Sequence, residues 1–344
     1  MQGTVAADLS GARLLSGRNE SWPCGPLPRR AEGAGRGVLC APVPGVCAVN
    51  LVSALQAIAG RIGSRSSGGQ VDLLRYLPLS ERRGHLYLVG DLHGEYGSLM
   101  LALKALSFNP ALDRVLFTGD MHDRGRNSAA CLELLRQPWV DSVLGNHELM
   151  LLNSVDDDGS LSKTRNSMYA GWMANGGEWI EETSREERSA WRRRILERVP
   201  LYWIVERRDG RRVMVCHAET DPLLLPDVVG LRNMPVSLGA LHSSPTLWGR
   251  HTLAVSVDET ISSQRKKQLL PPLEGALFAV HGHSQLKLAS WVANRLFIDT
   301  GAVYGNLLTL VDVDHALPGR PGGVQAWDIA SEKLIGYAAT NLLF

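Results

Sequence analysis

Three short apolar runs, each followed by a polar turn, dominate the pattern of hydrophobic and polar positions in the first half of the chain. The runs occupy residues 85–89, 114–118 and 140–144, and they have the β-branched and apolar content of buried parallel strands. After each turn the apolar positions change to helical spacing, as at Leu99 and Leu103. Three successive strand–helix units predict a parallel β-sheet with right-handed crossovers.

The second half of the chain has a different pattern. Short apolar runs are separated by turn residues, and helical spacing is no longer prominent. This pattern predicts a second, mixed β-sheet. Its strands are expected at residues 201–206, 211–218, 276–284, 287–293, 295–301, 307–313 and 325–330.

The two ends of the chain differ from this central part. Gly, Pro, Ser and Arg dominate the beginning, so residues 1–70 are expected to be a flexible extension with one helix over 46–63. A single large α/β domain is expected over residues 75–315. Residues 316–344 are expected to form a C-terminal extension whose strands pack on that domain.

Composition and charge narrow the class of protein. A hydrophobic content of 44% and a charged content of 21% are those of an ordinary globular protein. A net charge of +1 at pH 7 gives no reason to expect binding to nucleic acid. The longest basic cluster, Arg192–Arg194, lies among acidic residues in the segment 184–198. That mixture predicts the solvated face of an amphipathic helix.

Cysteine usage and the start of the chain bear on its compartment. The 5 cysteines include no CxxC pair, which argues against a disulfide framework or a zinc ribbon and is typical of a reducing compartment. The first ten residues lack the basic region of a secretory signal. The apolar stretch around residues 38–60 is broken by Pro42 and Pro44. We therefore expect a cytoplasmic protein without membrane association.

The turns after the first three strands carry the candidate chemistry. They read GDLHG at 90–94, GDMHDRG at 119–125 and GNHEL at 145–149. The glycines let the chain turn sharply, so the Asp, His and Asn side chains point into a shared crevice at the strand ends. Carboxylate oxygens, amide oxygens and imidazole nitrogens are ligands that Mn, Fe, Zn or Mg accept. The three blocks together predict a two-metal hydrolytic site, although each Asp or Asn alone could simply cap a helix.

These blocks resemble the phosphoprotein phosphatase family of metallophosphoesterases, in particular its bacterial and phage branch, the lambda phosphatase type of protein serine/threonine phosphatase. The resemblance implies an α/β, calcineurin-like metallophosphoesterase fold, in which two mixed β-sheets pack as a sandwich flanked by helices. Further segments share it, namely WMANGGEWI at 172–180, VCHAE at 215–219, LWGR at 247–250, HGHS at 281–284 and FIDTGAVYGNLLTL at 297–310.

The resemblance also implies a set of metal ligands for two divalent ions. Asp120 is the carboxylate expected to bridge both ions. Mn is the expected metal, while Fe, Zn, Co or Mg accept the same ligands. The full ligand set implied is Asp91, His93, Asp120, Asn146, His217 and His283.

The reaction implied is hydrolysis of phosphomonoesters, chiefly protein phosphoserine and phosphothreonine, by a metal-bridging hydroxide. His147 is expected to protonate the leaving oxygen, and Asp123 to orient its imidazole. Arg124 and Arg250 are expected to bind the nonbridging phosphate oxygens. A surface ion pair is the alternative for Arg250, because LWGR alone is a weak motif.

Two histidines depart from the family pattern or compete with it. His122 stands where the family has an apolar residue, and it is expected to face packing or solvent. His281 is a rival to His283 as a ligand, and the Gly-His-Ser match favours His283.

Two other enzymes remain alternatives, a dinucleoside polyphosphate hydrolase and a broad-specificity phosphoesterase. Asp123 and Glu148 favour phosphoprotein substrates over the dinucleoside polyphosphates, whose hydrolases differ at these two positions. The expected partner is therefore a phosphoprotein or phosphopeptide, and the chain is expected to be a monomer.

Overall fold

A computed structural model describes residues 69–342 of the chain, except residues 81, 164–166, 221–233 and 321. The predicted helix over 46–63 and nearly all of the predicted N-terminal extension lie outside these described residues. Among the described helices, none is long and apolar enough to cross a membrane.

The described residues form β-strands and α-helices that alternate in the first half of the domain, as predicted. The strands are β1 (Gln70–Asp72), β2 (Leu74–Pro78), β3 (Leu86–Val89), β4 (Arg114–Phe117), β5 (Val140–Ser142), β6 (Tyr202–Glu206), β7 (Arg212–Val215), β8 (Pro235–Ser237), β9 (Phe278–His281), β10 (Ser290–Val292), β11 (Arg295–Phe297), β12 (Leu307–Asp312), β13 (Val324–Asp328), β14 (Lys333–Gly336) and β15 (Thr340–Asn341). The helices are α1 (Tyr96–Ala105), α2 (Ser128–Glu133), α3 (Asn146–Ser154), α4 (Ser167–Trp172), α5 (Arg185–Arg198), α6 (Pro245–Trp248), α7 (His251–Val257) and α8 (Ser263–Leu269).

The first sheet has six strands in the order β14-β13-β12-β3-β4-β5. Strands β3, β4 and β5 are parallel, as the three strand–helix units predict. Strands β12 and β13 were expected in the second sheet, and that expectation is wrong. Strand β12 instead pairs antiparallel with β3, because the free hydrogen-bonding edge of β3 accepts a returning strand. Strands β13 and β14, which follow residue 315, therefore extend this sheet, whereas β15 pairs with β10 of the second sheet. The predicted division of the chain into a domain and extensions stays a prediction.

The second sheet has seven strands in the order β15-β10-β11-β9-β7-β6-β2. It is mixed, because β7 runs parallel to β9 and antiparallel to β6. A small two-stranded sheet joins β1 to β8. Strand β1 begins at Gln70, so the described fold starts before the predicted domain boundary at residue 75.

The core shows that the two large sheets pack face to face. Alternate residues of β3 point to opposite sides: Leu88 joins Val215 and Val280 between the sheets, whereas Val89 joins Leu99 under the helices. Burying each such aliphatic side chain contributes about 1.5–3 kcal/mol to folding. Two mixed sheets in a sandwich flanked by helices confirm the predicted fold class.

The prediction that Arg192–Arg194 form a solvated helix face is wrong for Arg192, which lies in helix α5. Its N-cap is Ser184, whose side chain accepts a hydrogen bond from the Glu187 N–H in a capping box. Arg192 is buried rather than solvated. Its guanidinium donates to Asp157 Oδ1 at 2.8 Å and to the Leu152 carbonyl. Arg192 therefore ties α5 to the loop after α3, which helical periodicity alone does not predict.

Candidate active site

The predicted metal ligands all lie at the carboxyl ends of strands in the two large sheets. Strands β3, β4 and β5 lead into the three motif turns, and β7 and β9 end beside them. In open α/β sheets this edge is where ligands bind. The residues placed there are Asp91 and His93 after β3, Asp120 after β4, Asn146 after β5, His217 after β7 and His283 after β9.

Short distances connect these side chains across the two sheets. Asn146 Oδ1 lies 2.8 Å from His217 Nε2 and 3.0 Å from His283 Nδ1. Asp120 Oδ2 lies 3.4 Å from His217 Nε2 and 3.6 Å from His93 Nε2. The structure therefore brings residues from distant parts of the sequence into one cluster.

Asp91 joins this cluster through the loop after β9. Its Oδ2 accepts a hydrogen bond from the His283 N–H at 2.9 Å, and its Oδ1 accepts one from Thr118 Oγ1 at 3.0 Å. A Cβ on Gly282 would lie 1.9 Å from Asp91 Oδ1, so only glycine permits this approach. Burial, and then the neighbouring Asp299, raise the pKa of Asp91 well above its usual value. A buried carboxylate next to another carboxylate is an environment that a cation stabilises.

Two histidines hold the tautomer that a metal ligand needs. The Nδ1–H of His93 donates to the His122 carbonyl at 2.9 Å, and that of His217 donates to the Thr118 carbonyl at 2.7 Å. Each ring therefore directs Nε2 at the cluster, and in the neutral ring that nitrogen is the unprotonated one, the usual arrangement for ligating histidines.

Two overlapping sets of three side chains offer ligand atoms within 4.8 Å of one another. One set comprises His93, Asp120 and His147, and the other Asp120, His217 and His283. Asp120 is common to both sets. The donor types, tautomers and burial of these residues fit a pair of divalent ions.

Charge pairing dominates at the centre of the cluster. Burial acts to raise the pKa of Asp120, but the adjacent His217 and His147 hold it well below its usual value. Burial likewise acts to lower the pKa of His217, but the Asp120 carboxylate raises it to about 9. Asp120 is therefore a carboxylate in the folded chain and is available as an anionic ligand.

Backbone strain is concentrated in this region. Most non-glycine residues with positive φ in the described chain belong to the predicted site. Such conformations cost about 1–3 kcal/mol each and cluster at functional sites. The site residues concerned are His93 (42°), Asp120 (49°), Asp123 (74°), Arg124 (67°) and His283 (65°).

Glu148 fixes two of the motif turns relative to each other. Its Oε2 accepts hydrogen bonds from the N–H groups of Gly145 and Asp120, both at 2.9 Å. Its Oε1 accepts one from the Met121 N–H at 2.9 Å. The carboxylate therefore caps α3 and also holds the turn after β4, which places Asp120 next to Asn146.

The carboxylate of Asp123 is completely buried and accepts four hydrogen bonds. Oδ2 accepts from His147 Nδ1 and Trp172 Nε1, both at 2.6 Å. Oδ1 accepts from His122 Nδ1 and Trp179 Nε1, also at 2.6 Å. Burial acts to raise the pKa of Asp123, but His122 and His147 bring it below its usual value. Asp123 is therefore a fixed anion behind the His147 ring.

His147 presents its second nitrogen to the cluster. Its Nδ1 is committed to Asp123, and its buried Nε2 has no hydrogen-bond partner among the described residues. That Nε2 lies 3.9 Å from Asp120 Oδ2. His147 is therefore oriented to exchange a proton, or to bind an ion, at the centre of the site.

His122 lies within packing and contacts Asp123 Oδ1, whereas His147 contacts Oδ2. Its ring meets Trp172 and Trp179 edge-on, at centroid distances of 6.2 Å and 5.8 Å. Burial acts to lower the pKa of His122, but Asp123 raises it above its usual value. Its position agrees with the expectation that it faces packing.

The two predicted arginines are both exposed. Arg124 Nη1 lies 2.7 Å from His93 Nε2. Burial, and then the Arg124 charge, lower the pKa of His93 well below its usual value. Arg250 is exposed at the start of α7, and its charge helps to lower the pKa of His283 after burial and His217. Both guanidinium groups therefore border the ligand cluster.

Asp299 is a buried carboxylate beside the cluster that the sequence did not single out. Its Oδ1 accepts a hydrogen bond from the Gly301 N–H at 3.0 Å. Burial raises its pKa above the usual value, while Arg124 acts in the opposite direction. The segment that contains Asp299, FIDTG, was recognised as a motif without a role for this side chain.

Comparison with known proteins agrees with this geometry. Residues 84–284 match the family described as calcineurin-like phosphoesterase, which covers more than half of the chain. The chain belongs to this family. It is therefore a metallophosphoesterase, as the sequence motifs predict.

Two bacterial phosphatases resemble this metallophosphoesterase over most of their length. Serine/threonine-protein phosphatase 2 of Salmonella typhimurium is 30% identical over 241 residues, which cover 69% of this chain and 97% of the relative. Serine/threonine-protein phosphatase 2 of Escherichia coli is 31% identical over 220 residues, covering 63% and 88% respectively. A symmetrical bis(5'-nucleosyl)-tetraphosphatase of Actinobacillus pleuropneumoniae is 46% identical, but over only 68 residues, 19% of this chain and 25% of the relative.

His281, the rival ligand, makes different contacts in the metallophosphoesterase. Its Nδ1 lies 3.3 Å from Cys216 Sγ, and its Nε2 lies 3.3 Å from Thr220 Oγ1. Its ring stacks on Phe297 at a centroid distance of 4.9 Å. Both ring nitrogens of His281 therefore contact Cys216 and Thr220, whereas His283 Nδ1 contacts Asn146 in the ligand cluster.

His281 should make folding stability depend on pH in the metal-free phosphoesterase. Burial, followed by Arg295, lowers its pKa from 6.5 to about 3. Between those values the unfolded chain binds a proton at His281 and the folded chain does not. The free energy of unfolding therefore loses nothing to His281 above pH 6.5. It falls by about 1.4 kcal/mol per pH unit as the pH decreases from 6.5 toward 3.

Replacement of His281 by Phe should reduce this acid dependence, because Phe retains a ring against Phe297 but cannot titrate. The measurement is the free energy of unfolding in urea at pH 7 and pH 5, with chelator present. His242→Phe, at an exposed histidine, is the matched control. An equal pH dependence in wild type and His281→Phe would show that folding does not lower the pKa of His281.

Proposed function

We propose that this metallophosphoesterase hydrolyses phosphoserine and phosphothreonine in proteins. The observation that carries the proposal is the pairing of His147 with the buried Asp123 carboxylate at 2.6 Å. An alkoxide from serine or threonine is a poor leaving group and requires a proton as the P–O bond breaks. The His147 ring, held on one side by Asp123 and free at Nε2, is suited to supply it.

Asp91, His93, Asp120, Asn146, His217 and His283 are the proposed ligands of two divalent ions, with Mn²⁺ as the expected metal. When bound, such ions supply Lewis acidity and lower the pKa of a coordinated water to about neutral. The chain's own residues orient the reaction around them. Asp120 is the proposed bridge because it belongs to both three-residue sets.

Arg124 and Arg250 are proposed to bind the nonbridging phosphate oxygens. The Arg124 guanidinium contacts His93 Nε2 at 2.7 Å, so it must leave that nitrogen when His93 acts as a ligand. A guanidinium released in this way remains at the edge of the cluster and offers forked N–H donors to phosphate. Arg250, exposed on the opposite side near His283, offers a second set of donors.

The second candidate function is hydrolysis of dinucleoside polyphosphates. It is favoured by the local 46% identity to the tetraphosphatase. The His147–Asp123 pair argues against this second function. A phosphate leaving group departs without full protonation, so a rigidly held acid has less to contribute to its hydrolysis. The similarity to the two serine/threonine phosphatases also extends over most of their length.

A substrate panel tests the proposal. Phosphoserine, phosphothreonine and phosphotyrosine peptides are assayed beside diadenosine tetraphosphate, with Mn²⁺, Mg²⁺, Zn²⁺ or Co²⁺ supplied in turn. We expect kcat/KM to be highest for the phosphoserine and phosphothreonine peptides, and to vanish with a chelator. Asp120→Asn serves as the control that the activity belongs to this site. A higher kcat/KM for diadenosine tetraphosphate would replace the proposal with the second candidate.

A further inference from the structure

A second group of metal-ligating side chains lies outside the site described above. It consists of His85, Asp312 and His315, which offer ligand atoms within 4.8 Å of one another. His85 Nδ1 lies 3.0 Å from Asp312 Oδ2, and His315 Nδ1 lies 2.9 Å from the same oxygen. Two imidazoles thus converge on one carboxylate oxygen.

The fold separates this group from the active site. His85 precedes β3 and Asp312 ends β12, whereas Asp91 follows the opposite end of β3. Six residues of nearly extended chain between His85 and Asp91 correspond to about 20 Å. The two sites therefore lie at opposite ends of β3 and share no side chain.

Several contacts hold the three side chains in place. The His85 N–H donates to Asp113 Oδ1 at 2.7 Å, and the His85 ring stacks on Tyr87 with centroids 5.8 Å apart. Asp312 Oδ1 accepts from the Asp314 N–H at 3.1 Å, which leaves Oδ2 directed at the histidines. The His315 N–H donates to the Asp312 carbonyl at 3.2 Å, so the turn after β12 places the third ring beside the same carboxylate.

The two neighbouring arginines bind Asp314 rather than the three side chains of this group. Arg208 pairs with the carboxylate of Asp314, and Arg207 donates to the Asp314 carbonyl at 2.7 Å. The side chains of His85 and His315 are 51% and 66% exposed, while that of Asp312 is 11% exposed. An ion from solvent can thus reach the imidazoles while the carboxylate stays in a fixed orientation.

We propose that His85, Asp312 and His315 bind one Zn²⁺ ion. Imidazole nitrogen and carboxylate oxygen are ligands that Zn²⁺ prefers, at about 2.0–2.2 Å. Tetrahedral coordination at those lengths separates ligand atoms by about 3.3 Å. The observed N–O separations of 2.9 Å and 3.0 Å need to widen by only a few tenths of an ångström.

Binding requires each ring to present an unprotonated Nδ1, with its proton on Nε2. The exposure of both rings allows Nε2 to be hydrated in that tautomer. Three protein ligands leave a fourth position for water. The bound ion would cross-link the start of β3 to the end of β12, and so would stabilise the sheet that carries Asp91 at its other end.

Zinc stoichiometry tests the proposal. Equilibrium dialysis against Zn²⁺ is performed on the full-length wild type, on His85→Ala/His315→Ala, and on His242→Ala/His251→Ala as a control that removes two exposed histidines elsewhere. We expect the first variant to bind one zinc fewer per chain, while the control matches the wild type. The first variant should also retain its Mn²⁺-supported kcat/KM on para-nitrophenyl phosphate.

A substitution of similar size separates loss of a ligand from loss of folding. Asp312→Asn should weaken zinc binding at this group by more than the roughly tenfold that loss of an outer-shell partner costs. Zn²⁺ should raise the Tm of Mn²⁺-loaded wild type, and raise it less in either variant. Equal zinc stoichiometry in wild type and His85→Ala/His315→Ala would overturn the proposal, and so would an equal loss in the control.

Discussion

Replacement of His147 by Asn is expected to lower kcat for a phosphoserine peptide by about 10²–10⁴-fold, with little change in KM. The loss should be smaller on para-nitrophenyl phosphate, because its phenolate departs without full protonation. The physical reason is the position of the ring: Nδ1 is bound to Asp123, and Nε2 is free at the centre of the cluster. The measurement is kcat on both substrates, with bound metal determined for each protein.

Arg124→Ala is the contrasting variant, because phosphate charge must be neutralised whatever the leaving group. It should impair both substrates by similar factors. Equal impairment of both substrates by His147→Asn, with metal content unchanged, would contradict the role of His147 as the acid. His147 would then be better interpreted as a ligand, a role that its place in the His93–Asp120–His147 set also allows.

The hydrogen bonds to Asp123 determine which variant can test its role. Asp123→Asn would place an amide NH₂ against indole and imidazole donors, leaving buried N–H groups unpaired at about 1–3 kcal/mol each. Trp172→Phe is the gentler variant, because it removes one donor and keeps an aromatic ring. It should reproduce the substrate-selective loss of His147→Asn with a smaller amplitude.

Asp120→Asn should reduce kcat/KM by about a thousandfold or more, and should reduce it further than Asp91→Asn does. Metal ions contribute several kcal/mol of charge stabilisation in phosphoryl transfer, and Asp120 alone belongs to both three-residue ligand sets. Asp91 instead contacts the Thr118 hydroxyl and the His283 N–H, so its loss should weaken one ion more than the other.

Metal analysis after gel filtration provides the direct readout for these two carboxylates. We expect Asp120→Asn to retain fewer ions per chain than Asp91→Asn. Circular dichroism controls for folding, since both substitutions keep the side-chain volume. Full metal content in Asp120→Asn would contradict a bridging position for this residue.

Local patterns in the sequence predicted much of the site. Gly-Asp and Gly-Asn turns after apolar runs place Asp91, Asp120 and Asn146 at strand ends, because the turn and its side chains are close in sequence. Short motifs after later strands also predicted His217 and His283 as ligands, and the structure places both beside Asn146. The contacts that His217 and His283 make depend on the fold, whereas the position of each histidine at a strand end is a local feature of the sequence.

The remaining features depend on contacts between distant segments. Strand β12 reads as any apolar strand, and nothing local indicates that its partner is β3. Trp172 and Trp179 reach Asp123 from a segment about 50 residues away in sequence, and indole donors leave no periodic signal. Asp299 looks like a turn residue until burial places it beside Asp91.

The left-handed backbone at His93, Arg124 and His283 implies a trade-off between durability and activity. Gly and Asn adopt this conformation at lower cost than His or Arg. A selection for heat resistance alone would therefore accumulate Gly or Asn at such positions and would discard the reacting groups. Inactive variants that melt at higher temperature than the wild type are the expected products of that selection.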